Sequence, residues 1–171
     1  QTVTNLLKRR DGGDEAALLP SPAPFAFANW ESKQVSSLRK LEFQVADKGV
    51  ARVLVELHNR GVFDAGLIVV GTLCYMAWLN ELGVRAVAAR TQDVDLARRQ
   101  RLKLAAPLPL LQALQVTRLP FHPVPGLPSQ APSTSFKLPG RDGLRVDLLA
   151  PGRALGALVS VPELECHAQA V

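Results

Sequence analysis

Thr91-Gln92-Asp93-Val94-Asp95-Leu96-Ala97 sets two carboxylates one residue apart in a short run of strand character. Side chains at i and i+2 of a strand project to one face, so Asp93 and Asp95 point together. Two carboxylates held side by side repel each other unless a cation, a proton or a base offsets their charge. Mg²⁺ suits such a pair: it is a hard ion that takes oxygen ligands, commonly one or two carboxylates plus substrate phosphates. An Asp-x-Asp in a solvated loop is the competing reading of an isolated match, so the flanking segments decide.

Upstream, Leu67-Ile68-Val69-Val70 is a short apolar, β-branched run that reads as a buried strand. Gly71 permits a tight turn and Thr72 can cap the next helix. Apolar residues at 73, 75, 76, 79 and 82 fall near helical spacing, and Gly83 stops the helix. A strand, Gly-Thr and a helix leave backbone N–H groups and a hydroxyl at a helix N-terminus, which suits a phosphate. Taken alone, the same pattern is ordinary strand-to-helix punctuation.

Downstream, Ser135-Phe136-Lys137-Leu138 and Leu144-Arg145-Val146-Asp147-Leu148-Leu149 read as strands joined by the turn chemistry of Pro139-Gly140-Arg141-Asp142-Gly143. Asp147 stands between Val146 and Leu148, where burying an unpaired carboxylate is costly. It either shares a metal site with Asp93 and Asp95, or faces solvent or pairs with Arg145 or Lys137. The Asp93/Asp95 pair favours the shared site.

Together these elements resemble the DNA polymerase beta-like nucleotidyltransferase superfamily. Its members carry a hydrophobic strand ending in Gly-Ser or Gly-Gly, a helix, an Asp-x-Asp or Asp-x-Glu strand, and a later strand bearing a third acid. Gly71-Thr72, Asp93-Val94-Asp95 and Asp147 occupy the corresponding places. More narrowly, Val69-Val70-Gly71-Thr72, Leu82-Gly83-Val84-Arg85 and the segment from Thr91 to Ala97 resemble a bacterial family of nucleotidyltransferase-fold proteins. Leu38-Arg39-Lys40-Leu41-Glu42-Phe43 is similar to the region upstream of that family's core. The likeness spans roughly residues 36 to 160. Thr72 replaces the commoner Ser or Gly and keeps the hydroxyl. The interval from Gly71 to Asp93 exceeds that of many members and predicts an inserted loop or extra strand over 84–90.

The resemblance implies an α/β (α+β) chain with the polymerase beta-like palm, a mixed sheet flanked by helices. It implies catalysis by Asp93, Asp95 and Asp147, which would bind two Mg²⁺ or Mn²⁺ ions. Gly71 and Thr72 would hold the β- and γ-phosphates of a nucleoside triphosphate, with Arg90 or Arg98 assisting. The acceptor would be a hydroxyl, most readily of a nucleic acid, RNA or DNA. Three rivals remain: a toxin-like transferase modifying tRNA or protein, a catalytically silent nucleic-acid-binding module, and a metal-dependent phosphohydrolase or nuclease. Gly71-Thr72 argues against the last, since a hydrolase needs no triphosphate cradle.

The 171 residues suit one domain with a sizeable core. No apolar run approaches the ~20 residues that span a bilayer, and no secretory signal is evident, so a cytoplasmic, membrane-free location is expected. Cys74 and Cys166 read as free thiols, and His58, His122 and His167 lack metal-ligand spacing. Lys and Arg outnumber Asp and Glu by 20 to 15, and the excess clusters. Arg98-Arg99-Gln100-Arg101-Leu102-Lys103 directly follows the acid pair, so Arg98, Arg99, Arg101 and Lys103 are candidate nucleic-acid contacts, or else a solvated face.

Residues 1–33 read as an N-terminal extension with a short helix near 3–10, a basic Lys8-Arg9-Arg10 patch and a Pro-rich linker over 20–24. The core is expected over 34–161. It begins with one or two helices across 34–60 that Gly49 can break. A short helix over 107–114 and a loop over 119–132 with five prolines follow. Residues 162–171 are expected to open a C-terminal helical segment that continues further.

Overall fold

The computed structural model describes residues 24–86, 91–126 and 128–171, with side chains from Ser32 onward. Residues 38–171 form one compact unit. Helix α1 (Pro24–Lys40) runs across the start of that unit, with Arg39 and Lys40 in its last turn, where cations complement the helix dipole. The expected helix over 3–10, the Lys8-Arg9-Arg10 patch and most of the Pro-rich linker lie outside the described residues.

The break in the expected 34–60 helix falls at 41–47 rather than at Gly49. Glu42 takes a left-handed turn (φ 63°), and the Phe43 N–H donates to the Leu38 carbonyl at 3.0 Å. Asp47 then caps α2 (Lys48–Asn59) by accepting from the Gly49 N–H at 2.8 Å. Gly49 therefore belongs to the first turn of α2, where a carboxylate cap satisfies an otherwise orphaned donor. Val50, Val53 and Leu57 form the buried stripe of α2.

The remaining elements are β1 (Leu67–Val70), α3 (Gly71–Glu81), β2 (Asp93–Arg98), α4 (Leu110–Val116), β3 (His122–Pro123), β4 (Ser135–Lys137), β5 (Arg145–Ala150), β6 (Leu158–Val161), a 3₁₀ turn (Pro162–Leu164) and β7 (Cys166–Ala170). Their strands make one mixed sheet in the order β1-β2-β5-β4-β3, with β7 pairing to both β5 and β6. β2–β5 and β5–β7 are parallel and the other pairs antiparallel. β4 and β5 form the expected hairpin, closed by Leu138 N–H donating to the Leu144 carbonyl.

β2 and β5 alternate buried with less buried positions, and this alternation separates core from site. Val94 and Leu96 of β2, and Val146, Leu148 and Ala150 of β5, are fully buried. They join Val53 and Leu57 of α2, Leu73 and Met76 of α3, and Leu110, Ala113 and Leu114 of α4 in one hydrophobic cluster. Each such side chain contributes about 1.5–3 kcal/mol when fully buried. Helices α2, α3 and α4 thus pack on one face of the sheet, and the residues of opposite parity stand on the other.

Residues 162–171 do not open a helix. Cys166–Ala170 is a strand, with Ala168 and Ala170 buried, and Glu165 makes the turn into it at φ 50°. Residues 84–86 carry no regular structure, and 87–90 lie outside the described residues. No helix among the described residues is long and apolar enough to cross a membrane.

Candidate active site

Register brings the acids together. Asp95 of β2 lies directly beside Asp147 of β5, and Asp93 lies beside Arg145. Neighbouring strands are about 4.8 Å apart, and in-register residues share a face, so Asp93, Asp95 and Asp147 stand together on the face opposite the buried core residues. Ser135 of β4 faces Asp147 from the other flank. Val70 is the antiparallel partner of Asp95, which sets the β1-to-α3 turn against that carboxylate.

That turn is tight around Gly71. Its φ is +66°, and a Cβ built there would lie 2.2 Å from Asp95 Oδ2. Only glycine allows the carboxylate to sit so close to the start of α3. The residue before the helix, Val70, offers no side-chain cap, so first-turn N–H groups remain for another acceptor. Thr72 is exposed beside them.

Asp147 is anchored by Oδ1, which accepts from the Ser135 hydroxyl and from Arg145 Nε at 2.8 Å. Arg145 Nη2 also donates to Ser135 Oγ at 2.9 Å. Both bonds to Asp147 fall on one oxygen and leave Oδ2 for another partner. Asp93 is exposed at the first position of β2. The Thr91 hydroxyl accepts from the Asp93 backbone N–H at 3.2 Å.

The electrostatics favour a positive charge among these groups. Burial raises the Asp95 pKa, and the charges of Asp147 and then Asp93 raise it further, against a lowering by Arg145. Carboxylate oxygens are the donors a hard divalent cation takes. Among the described residues, no group of three or more Asp, Glu, His or Cys side chains is placed to hold a metal ion. By donor chemistry and charge, though not by their arrangement here, the oxygens of Asp93, Asp95 and Asp147 suit a hard divalent cation such as Mg²⁺ or Mn²⁺.

The basic run behaves differently from its sequence expectation. Arg98 has the opposite parity to Asp93 and Asp95 and points to the covered face. There its Nη1 lies 2.7 Å from Glu163 Oε1, with the two side chains 16% and 6% exposed. Glu163 Oε1 also accepts from the Leu102 N–H at 3.0 Å. Burial pushes the Glu163 carboxyl up, but the Leu102 and Arg98 bonds outweigh it and hold the pKa below the usual value. Arg98 is therefore a structural ion-pair partner and is not brought to the acids. Burial beside Glu163 pushes the Cys166 thiol up to about 12.

Arg99, Arg101 and Lys103 are exposed. Strands rise ~3.3 Å per residue, so the run begins about 13 Å from Asp95, at the other end of β2. The Lys103 N–H donates to Ala65 O, before β1, at 2.9 Å. Arg90 lies outside the described residues. Sequence reasoning missed Ser135 and Glu163. Ser135 was visible only as a strand residue, because its facing partner depends on the register of the hairpin.

A family model described as nucleotidyltransferase matches residues 48–171, from α2 through β7. No curated protein and no solved structure matches the chain.

Proposed function

Because the chain belongs to the nucleotidyltransferase family whose model it matches over 48–171, a nucleotidyl-transfer function follows, and we propose that it moves an NMP or dNMP from a nucleoside triphosphate to a hydroxyl of a nucleic acid. The observation that carries the choice of site is the register of Asp95 beside Asp147, with Asp93 on the same face.

In this reading Gly71 and Thr72 hold the β- and γ-phosphates through the first-turn N–H groups and the hydroxyl. Asp93 and Asp95 would bind two Mg²⁺ or Mn²⁺ ions, one of them shared with Asp147. When bound, such ions lower the pKa of an attacking hydroxyl and neutralise the leaving pyrophosphate. Asp147, fixed through Oδ1 by Ser135 and Arg145, stands beside the acceptor and would serve as the site's base or as the ligand of the shared metal. The acceptor oxygen forms a bond to the α-phosphorus as the bond to the bridging oxygen breaks. Pyrophosphate leaves with that electron pair, and the hydroxyl proton passes to Asp147 where it is the base, or to solvent where it is the ligand. Positioning and charge neutralisation carry the rate.

One observation favours a second reading. Arg145 already offsets the charge of Asp147, as it would in a silent module that binds nucleic acid without turnover. Incubation with each α-³²P-labelled NTP, Mg²⁺ or Mn²⁺ and cellular RNA, DNA and protein separates the two. Label in a nucleic-acid fraction that disappears in Asp93→Asn and Asp95→Asn is the expected result. Label that persists in both variants removes the proposed site, and nucleic-acid binding without any label supports the silent module.

A further inference from the structure

The open face of the sheet has a direction. Along the row of Asp95 the order is Val70 of β1 beside the Gly71-Thr72 turn, then Asp95, Asp147 and Ser135. One step along the strands, Asp93 is followed in register by Arg145, Lys137 and His122. These four residues share the open face and cross β2, β5, β4 and β3. At ~4.8 Å per strand, the row extends about 14 Å from Asp93 to the sheet edge.

Beyond Asp93, this second row is built of hydrogen-bond donors. The Arg145 side chain is 43% exposed although it also holds Asp147. Lys137 Nζ donates to the Arg141 carbonyl at 2.7 Å, which uses one of its three protons. His122 is exposed, with Nδ1 3.2 Å from Pro120 O, so Nε2 is directed elsewhere. Arg141 is exposed in the adjoining hairpin turn. Among the described residues, no such row of donors stands on the β1 side of the acids, where the helix N-terminus lies.

In-line displacement requires the attacking oxygen and the leaving group to lie on opposite sides of the α-phosphorus. With the triphosphate tail held at Gly71-Thr72, the leaving side is β1 and the entering side is β4 and β3. We propose that Arg145, Lys137 and His122 form a track for the phosphodiester backbone of a single-stranded nucleic acid, leading its terminal hydroxyl to Asp147. The inference rests on the nucleotidyl-transfer reading for its direction. It moves the nucleic-acid contacts from the basic run after β2 to the far flank of the acids. The repeating negative charge of a phosphodiester matches donors at successive strand intervals, whereas a neutral protein hydroxyl gives them nothing to bind.

The test uses the full chain with fluorescent single-stranded RNA and DNA oligonucleotides of one sequence, followed by anisotropy over a range of salt concentrations. Lys137→Glu and His122→Glu are compared with the double variant Arg99→Glu/Arg101→Glu. We expect Lys137→Glu to weaken binding about tenfold or more and to reduce the slope of log K against log salt by about one. His122→Glu acts in the same direction, and Arg99→Glu/Arg101→Glu leaves affinity unchanged. Loss with both polymers supports a backbone track, and loss with one also identifies the sugar.

Wild-type affinity in both Lys137→Glu and His122→Glu overturns the track. So does loss confined to Arg99→Glu/Arg101→Glu, or absence of oligonucleotide binding by the wild-type chain. Label transfer from NTP to another acceptor, abolished by Asp95→Asn, would in those cases leave the transferase reading standing. Lys137-dependent binding with no transfer from any NTP would do the reverse.

Discussion

At Gly71 the backbone conformation and the site coincide. A side chain there meets Asp95 Oδ2, and the φ of +66° costs an L-residue roughly 1–2 kcal/mol. Gly71→Ala is therefore expected to lower the melting temperature and to cut turnover by about 10²-fold, the usual consequence of a displacement near 1 Å at a reacting centre. Thermal denaturation and label transfer check the two effects separately. Asp95→Asn has the opposite signature. Its carboxylate is held above its ordinary pKa by burial and by Asp147 and Asp93, so its ionised form destabilises the native chain at neutral pH. The amide is expected to raise the melting temperature while reducing transfer by about 10³-fold or more, since several kcal/mol of charge stabilisation vanish. Mg²⁺ should raise the melting temperature of the wild type and not of this variant. The acids were legible because strand parity follows from spacing alone. The same parity separates Arg98 from them, but adjacency in sequence outweighed it in the reading of the basic run. Ser135 was not legible, because which residue faces Asp147 is fixed by hairpin register.

The elements show where local signals suffice and where pairing overrides them. β1, α3, β2 and the β4–β5 hairpin follow from apolar periodicity and turn residues. Asp47, not Gly49, divides the helical region, since a carboxylate that satisfies an orphan N–H is a stronger boundary than a single glycine. Asp47→Ala is expected to cost about 1 kcal/mol, read as a lowered midpoint in urea with unchanged slope. The segment Glu163-Leu164-Glu165-Cys166-His167-Ala168-Gln169-Ala170 is rich in helix formers, yet Cys166–Ala170 pairs with β5 and β6. A free length of β5 beyond the reach of β4 takes Gln169 and Ala170 as partners for Leu149 and Ala150. Long-range pairing of this kind leaves no local trace in the sequence. The left-handed turn at Glu165 enables it, and glycine did not mark that turn.

For the molecule as a whole, the Arg98–Glu163 pair ties the end of β2 to the turn before β7, 65 residues further along the chain. Glu163→Gln leaves Arg98 buried without its counter-charge, and breaking such a pair costs about 3–5 kcal/mol. Because the Glu163 pKa is lowered in the folded chain, its contribution is full above the unfolded carboxyl value. It is lost as pH falls through the folded value. Asp95 works the other way: the native chain takes up its proton first, so its share of stability grows as pH falls. Wild type should therefore lose more stability on acidification than Glu163→Gln does, which denaturant titrations at neutral and acid pH will show. On the proposed reading, Asp93, Asp95 and Asp147 form one nucleotidyl-transfer site. The most direct measurement incubates the chain with an α-³²P-labelled NTP, Mg²⁺ and a single-stranded oligonucleotide, and counts pyrophosphate against incorporated label. One pyrophosphate released per label transferred, with both lost in Asp95→Asn, is the predicted result. Transfer undiminished in Asp95→Asn, or label that stays in free nucleotide with every NTP and either metal, contradicts it.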